Sequence, residues 1–159
     1  MYAMRRQEDA RDETRSKLKG VHADHGSDCG YRPGVQHLMK YSQTTGQLTS
    51  DDGGVLGTGY SGNGAGLNNP AMQDVVDRGP LPQGIYTVGH PLNPPDHLGP
   101  LAMPLTPDPS NEMHGRSGFF MHGDNSRHDQ SASEGCIIMP QLTRLAVSGA
   151  SDRTLEVTP

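Results

Sequence analysis

The sequence predicts a mainly β domain with two or three short helices, and three observations carry that prediction. Glycine (21) and proline (13) together take about one residue in five of the 159, so turns and loops claim much of the backbone. Hydrophobic residues make up 31%, and the aromatics are five Tyr and two Phe, which suits one small core better than a bundle of long amphipathic helices. Beyond residue 37, turn signals recur every eight to twelve residues, the spacing of short antiparallel strands.

Two segments follow from this reading: a polar N-terminal segment, 1–37, helical or disordered, and a domain, 38–159. From Met4 to Lys19 the chain is almost wholly polar, with Arg5/Asp9 and Glu13/Lys17 at helical spacing and Gly20 as a stop. His22, His25, Cys29 and His37 then lie among Gly, Asp and Ser, as a connector or a small metal site. In the domain, Leu38–Gln43, the turn Thr44-Thr45-Gly46 and Gln47–Ser50 read as a hairpin. Asp51-Asp52-Gly53-Gly54 is a further turn, and Val55–Tyr60 a strand. Asn69 before Pro70 has the form of an N-cap with proline in the first helical position, predicting a helix over Ala71–Asp77 closed by Gly79.

Ile85–Val88 reads as a strand, and Leu101–Leu105 as another that its prolines place at a sheet edge. Phe119-Phe120-Met121 and Ile137-Ile138-Met139 are apolar strand-like pieces separated by a polar loop. Gln141–Ser148 with Gly149 behind it predicts a short helix, and Leu155–Thr158 a last strand. The eight methionines suit gap-filling in a sparse core.

Charge narrows the function. The net charge is −5, and residues 1–19 hold six basic against four acidic groups, which leaves the rest at −7. Such a body lacks the basic patch that neutralises phosphates, so nucleic acid and anionic membranes are not expected partners. No apolar run approaches the ~18 residues of a membrane span or the ~7–15 of a signal-peptide core. The expectation is a soluble protein, exported, if at all, without a cleaved signal.

The chemistry sits where His122 and Cys136 bracket the polar loop, each joined to an apolar segment. A thiol nucleophile needs a base or cation to form thiolate, and imidazole is the usual partner. This pairing predicts a free Cys136 with a depressed pKa. Gly135 lets a substrate carbonyl approach, and N–H groups around Gly135 and Cys136 suit the oxyanion of a tetrahedral intermediate. Ser133 and Asp124 are alternative partners for the second imidazole nitrogen. Arg116 is a candidate for binding a substrate carboxylate, with Tyr60 and Gly123 beside the same cleft.

The run Gly115-Arg116-Ser117-Gly118-Phe119-Phe120-Met121-His122-Gly123-Asp124, with Ser133-Glu134-Gly135-Cys136-Ile137-Ile138-Met139, resembles the His-Gly … Ser-x-Gly-Cys signature of L,D-transpeptidases. Tyr60-Ser61-Gly62-Asn63-Gly64, Asn68-Asn69-Pro70-Ala71-Met72-Gln73, Gly79-Pro80-Leu81-Pro82-Gln83-Gly84-Ile85-Tyr86 and Pro104-Leu105-Thr106-Pro107-Asp108-Pro109 extend the likeness. Over residues 38–157 the chain resembles the type VI secretion L,D-transpeptidase effectors, a divergent branch of that family. Glu134 stands where many housekeeping members have a second histidine.

The resemblance implies an L,D-transpeptidase-like fold, a sandwich or partly open barrel, with no cofactor. It implies Cys136 as nucleophile and His122 as base, acting on tetrapeptide stems of peptidoglycan by carboxypeptidase action and D-amino-acid exchange. It further implies delivery by the type VI apparatus to the periplasm of a target cell, and a cognate immunity protein. Rival readings remain. His114, His122, Asp124 and His128 form a candidate zinc set for a metal-dependent peptidoglycan peptidase. A sortase-like enzyme would pair His and Cys with an arginine such as Arg144. A non-catalytic wall-binding module becomes concrete if Cys29 and Cys136 form a disulfide.

Overall fold

The computed structural model describes residues 38–93 and 97–159. The expectations for the Met4–Lys19 helix, the His22/His25/Cys29/His37 cluster and the Cys29 thiol lie outside the described residues. Within them the fold is mainly β: nine strands in one sheet, one α-helix and two short 3₁₀ turns, Gly64–Gly66 and Pro70–Met72.

The predicted hairpin forms as β1 (Met39–Ser42) and β2 (Gln47–Thr49), paired antiparallel through a turn in which Gly46 takes φ +69°. Met39, Tyr41 and Leu48 point into the core. β3 (Val55–Thr58) adds antiparallel to β2 after a turn with Gly53 at φ +84°. The expected single strand Val55–Tyr60 breaks at Gly59, and β4 (Tyr60–Ser61) pairs elsewhere, with β8. The cause is steric. A β-carbon on Gly59 would lie 1.8 Å from the Ile138 carbonyl oxygen, and its N–H donates to Gly46 O at 2.8 Å.

The helix expected over Ala71–Asp77 is a correction. Asn69 caps as predicted, accepting from Ala71 N–H at 3.2 Å, but the coil is one 3₁₀ turn. Successive turn bonds, Val75 N–H to Met72 O and Gly79 N–H to Val75 O, tighten the chain, and Asp77 at φ +59° is incompatible with helix continuation. β5 (Gly84–Val88) and β6 (Met103–Pro107) follow. β6 is also corrected: it lies inside the sheet between β5 and β7, not at an edge. Its prolines are tolerated because the β5 ladder starts at Leu105, one residue past Pro104, and Pro107 is the last residue of the strand.

β7 (Phe120–His122), β8 (Ile137–Ile138), α1 (Gln141–Ser148) and β9 (Thr154–Thr158) complete the chain, with Gly149 ending α1 as predicted. The sheet order is β3-β2-β1-β9-β5-β6-β7-β8-β4. Its two edges, β3 and β4, are consecutive in the chain and meet at Gly59, so the sheet is a nearly closed barrel. Tyr41, Leu48, Tyr86, Met103, Met121, Ile137 and Leu155 are fully buried in its core. Four methionines, 39, 103, 121 and 139, sit there.

Candidate active site

β7 and β8 are parallel neighbours, with Met121 opposite Ile137 and His122 opposite Ile138. Parallel pairing of consecutive strands requires a crossover of about a dozen residues or more, and the polar stretch 123–136 supplies it. Side chains alternate between faces along a strand. Met121 and Ile137 are buried in the core, so Phe120, His122, Cys136 and Ile138 share the opposite face. Extending the register places Cys136 level with Phe120, two residues behind His122. A rise of ~3.3 Å per residue and a strand spacing of ~4.8 Å then separate the Cα atoms of His122 and Cys136 by roughly 8 Å, with both side chains on one side.

His122 is buried, and its Nδ1 lies 2.8 Å from the Gly123 carbonyl oxygen. A carbonyl only accepts, so this contact puts the ring proton on Nδ1 and leaves Nε2 as the basic nitrogen. This backbone acceptor was not anticipated from the sequence, which offered Ser133 and Asp124. Asp124 accepts from the Tyr60 hydroxyl at 2.6 Å and from Asn125 N–H at 2.8 Å, and His128 Nδ1 lies 3.7 Å from its other oxygen. The Tyr60 hydroxyl also accepts from Ala132 N–H at 3.4 Å, so one phenol ties both ends of the loop. Burial, then the bond to Asp124, push the Tyr60 pKa up.

Cys136 is a free, half-buried thiol that accepts from Phe120 N–H at 3.3 Å. Its pKa departs from expectation in sign: it is raised, not depressed. Burial is the largest cause and Glu134 adds to it, outweighing the Phe120 N–H and the Arg116 charge. Burial thus favours the protonated form of this thiol.

The turn before Cys136 is held on three sides. Ser133, fully buried, accepts from Gly62 N–H at 2.8 Å and Gly135 N–H at 3.1 Å, and donates to Cys136 O at 2.7 Å. Ser61 donates to Gly135 O at 3.0 Å while accepting from Leu81 N–H at 2.8 Å, and the Asn63 amide donates to Ser133 O at 2.7 Å. Arg116 lies beneath. It donates to the carbonyls of Gln73, Gly79, Pro80 and Glu134 at 2.6–3.0 Å and stacks on Phe119, 5.1 Å from the ring centroid. Four of its five N–H groups are thereby occupied, which leaves Nε alone for the carboxylate it was expected to bind. Gly135, at φ +124°, has no room for a side chain, since a β-carbon would lie 2.4 Å from Arg116 Nη2 and 2.6 Å from Phe119. Its N–H is taken by Ser133. That leaves the Cys136 N–H of the two groups expected to serve an oxyanion.

A cleft of about 640 Å³ opens beside the pair, walled in part by Tyr60, Gly123, Asp124, Ile138, Gln141 and Arg144. Cys136 and His122 are not in this wall. They adjoin it through Gly123 and through Ile138, which shares the thiol's face. Of the expected site residues, Tyr60, Gly123 and Asp124 line the cleft, whereas Ser133, Gly135 and Arg116 build the turn behind the thiol. Among the described residues no three His, Cys, Asp or Glu side chains converge as a metal set. The four-residue zinc set is not assembled, since His114 lies beside Glu112. Ser61 and Asn63 are supporting residues that stood within a quoted motif without a role, and Arg144 had been offered only under the sortase-like reading.

A family model described as the Tlde1 domain matches residues 57–157, just under two thirds of the chain. The match spans every residue of the pair, the turn and the cleft. No curated protein matches the sequence.

Proposed function

The chain belongs to the Tlde1 family, the type VI L,D-transpeptidase effectors, and from that premise we propose that it is a cysteine-dependent L,D-carboxypeptidase and L,D-transpeptidase acting on tetrapeptide stems of peptidoglycan. Membership makes it an effector enzyme served by a secretion apparatus. The observation that carries the finer reading is the placement of His122 and Cys136 on one face of adjacent parallel strands, with Nδ1 engaged and Nε2 left as base.

The raised thiol pKa supports one order of events. The thiol stays protonated until substrate arrives, and His122 Nε2 removes the proton as sulfur attacks the carbonyl of the third stem residue. The oxyanion receives the Cys136 N–H. Collapse breaks the C–N bond, and His122 returns its proton to the departing D-alanine amine, leaving a thioester on Cys136. Water then gives the tripeptide and restores the thiol. The amine of a free D-amino acid gives an exchanged tetrapeptide.

The substrate places the action in the periplasm of a target cell, and an immunity protein covering the cleft protects the producer. Mass spectrometry of tetrapeptide muropeptides, with the protein and with Cys136→Ala, tests the reading. Loss or replacement of terminal D-alanine only with Cys136 intact supports it. No change with folded, reduced protein refutes it, and retention of stems without turnover would favour a binding module.

A further inference from the structure

Arg144, on α1, is a buried cation with no counter-ion among the described residues. The residue is 7% exposed, yet no carboxylate pairs with it among the described residues, and burial alone displaces its pKa, downward. Buried charges are ordinarily paired, because an isolated one forfeits its hydration. Arg116, equally buried, shows the ordinary solution, with four carbonyls and an aromatic face around the guanidinium.

Arg144 is only partly engaged. Nε donates to Met139 O at 3.0 Å and Nη1 donates to Pro100 O, which fixes the guanidinium plane. Nη2 has no acceptor among the described residues, and Arg144 lines the cleft together with Gly123. A β-carbon on Gly123 would stand 2.8 Å from Nη2, so the glycine after His122 is what lets the guanidinium sit this close to the backbone beside the base. Asp124 shares the cleft: its Oδ1 accepts from the Tyr60 hydroxyl and the Asn125 N–H, and its Oδ2 faces His128 Nδ1 at 3.7 Å, so no ion pair joins it to Arg144.

A second donor group faces the same space. The cleft wall includes Pro140 and Gln141, the N-terminus of α1, and no side chain caps that end. The first N–H groups of a helix have no intrahelical acceptor and carry partial positive charge.

We propose that Arg144 Nη2 and the uncapped start of α1 form a carboxylate subsite that holds the free α-carboxylate of the D-amino acid on the leaving side of the scissile bond. The assignment of stem acyl transfer rests on the function proposed above; the anion subsite rests on Arg144 itself. Microscopic reversibility makes one subsite serve two sources, since the departing D-alanine and an incoming D-amino acid occupy the same position with the same carboxylate.

The test compares a tetrapeptide ending in D-alanine with the same peptide ending in D-alaninamide, and D-methionine with D-methioninamide as acceptor. Wild-type protein should favour the acid of each pair by roughly 10- to 100-fold in kcat/KM, the range of a charge-assisted hydrogen bond. Arg144→Gln should erase the preference. Gln141→Glu, an exposed change that leaves the Arg144 bonds intact, should reduce it even if Arg144→Gln fails to fold. Discrimination confined to one pair assigns the subsite to donor or acceptor alone and refutes its dual use. Turnover of acid and amide at equal rates overturns the subsite while leaving the enzyme assignment standing. Absence of turnover overturns that assignment instead. Calorimetry of Cys136→Ala with the two peptides then decides the subsite: tighter binding of the acid upholds it, and equal or absent binding overturns it.

Discussion

Replacing Ser133 with alanine separates two roles that one hydroxyl could fill. The sequence offers Ser133 as a partner for the imidazole, whereas the structure has its hydroxyl accept two backbone N–H groups and donate to the Cys136 carbonyl at 2.7–3.1 Å. The substitution orphans the Gly62 and Gly135 N–H groups and the Cys136 carbonyl in a place with no exposure at Ser133. Each buried, unsatisfied group costs about 1–3 kcal/mol, and water entering the vacated volume recovers part of it. A net loss of about 2–4 kcal/mol is expected, a large share of the ~5–15 kcal/mol available to a domain. Urea unfolding followed by circular dichroism measures it. Alkylation of Cys136 in native protein should also accelerate, as the turn that buries the sulfur loosens. A Ser133→Ala protein within about 0.5 kcal/mol of wild type, but with a displaced pH profile for turnover, would refute the argument and return the hydroxyl to the imidazole.

The remaining predictions concern titration and the phenol staple. Because burial raises the Cys136 pKa, iodoacetamide labelling should climb with pH through neutrality and into the alkaline range, with no plateau at neutral pH. The same shift means that folded protein holds the thiol proton more tightly than unfolded chain, so this contribution to stability is complete below the unfolded-chain pKa and fades as pH rises through the folded one. A neutral-pH labelling plateau would contradict both statements. In a double-mutant cycle, Tyr60→Phe and Asp124→Asn should couple by about 1–3 kcal/mol in stability, because a short 2.6 Å bond joins the phenol to the carboxyl group. Additive effects would show that the bond does not secure the loop.

Much of the fold was legible where the signal was local. The β1–β2 hairpin follows from Thr44-Thr45-Gly46, and α1 from Gln141–Ser148 with Gly149 as its stop. Cys136 and His122 stood out as a candidate pair because each abuts an apolar segment, and β7 and β8 carry them on one face. What escaped depends on distant neighbours. Gly59 breaks its strand because Ile138 O occupies the β-carbon position, and Leu101–Leu105 reads as an edge only until β5 and β7 divide its two flanks. The sign of the Cys136 shift was missed because a histidine is visible in a sequence and the burial of sulfur is not. Likewise, the Gly123 carbonyl that orients His122 belongs to every residue and is announced by none.

The position of β9 bears on how the molecule comes to be folded. β9 lies between β1 and β5, and its parallel pairing joins Met39 to Leu155, a separation that spans nearly the whole described chain. Loop closure over that distance must precede any reward from the pairing, which slows folding to the millisecond-to-second regime of non-local β topologies. β7 and β8, by contrast, are joined by one short crossover. The proposed catalytic pair is therefore brought together by contacts close in sequence, while the barrel around it waits on the longest-range encounter in the sheet.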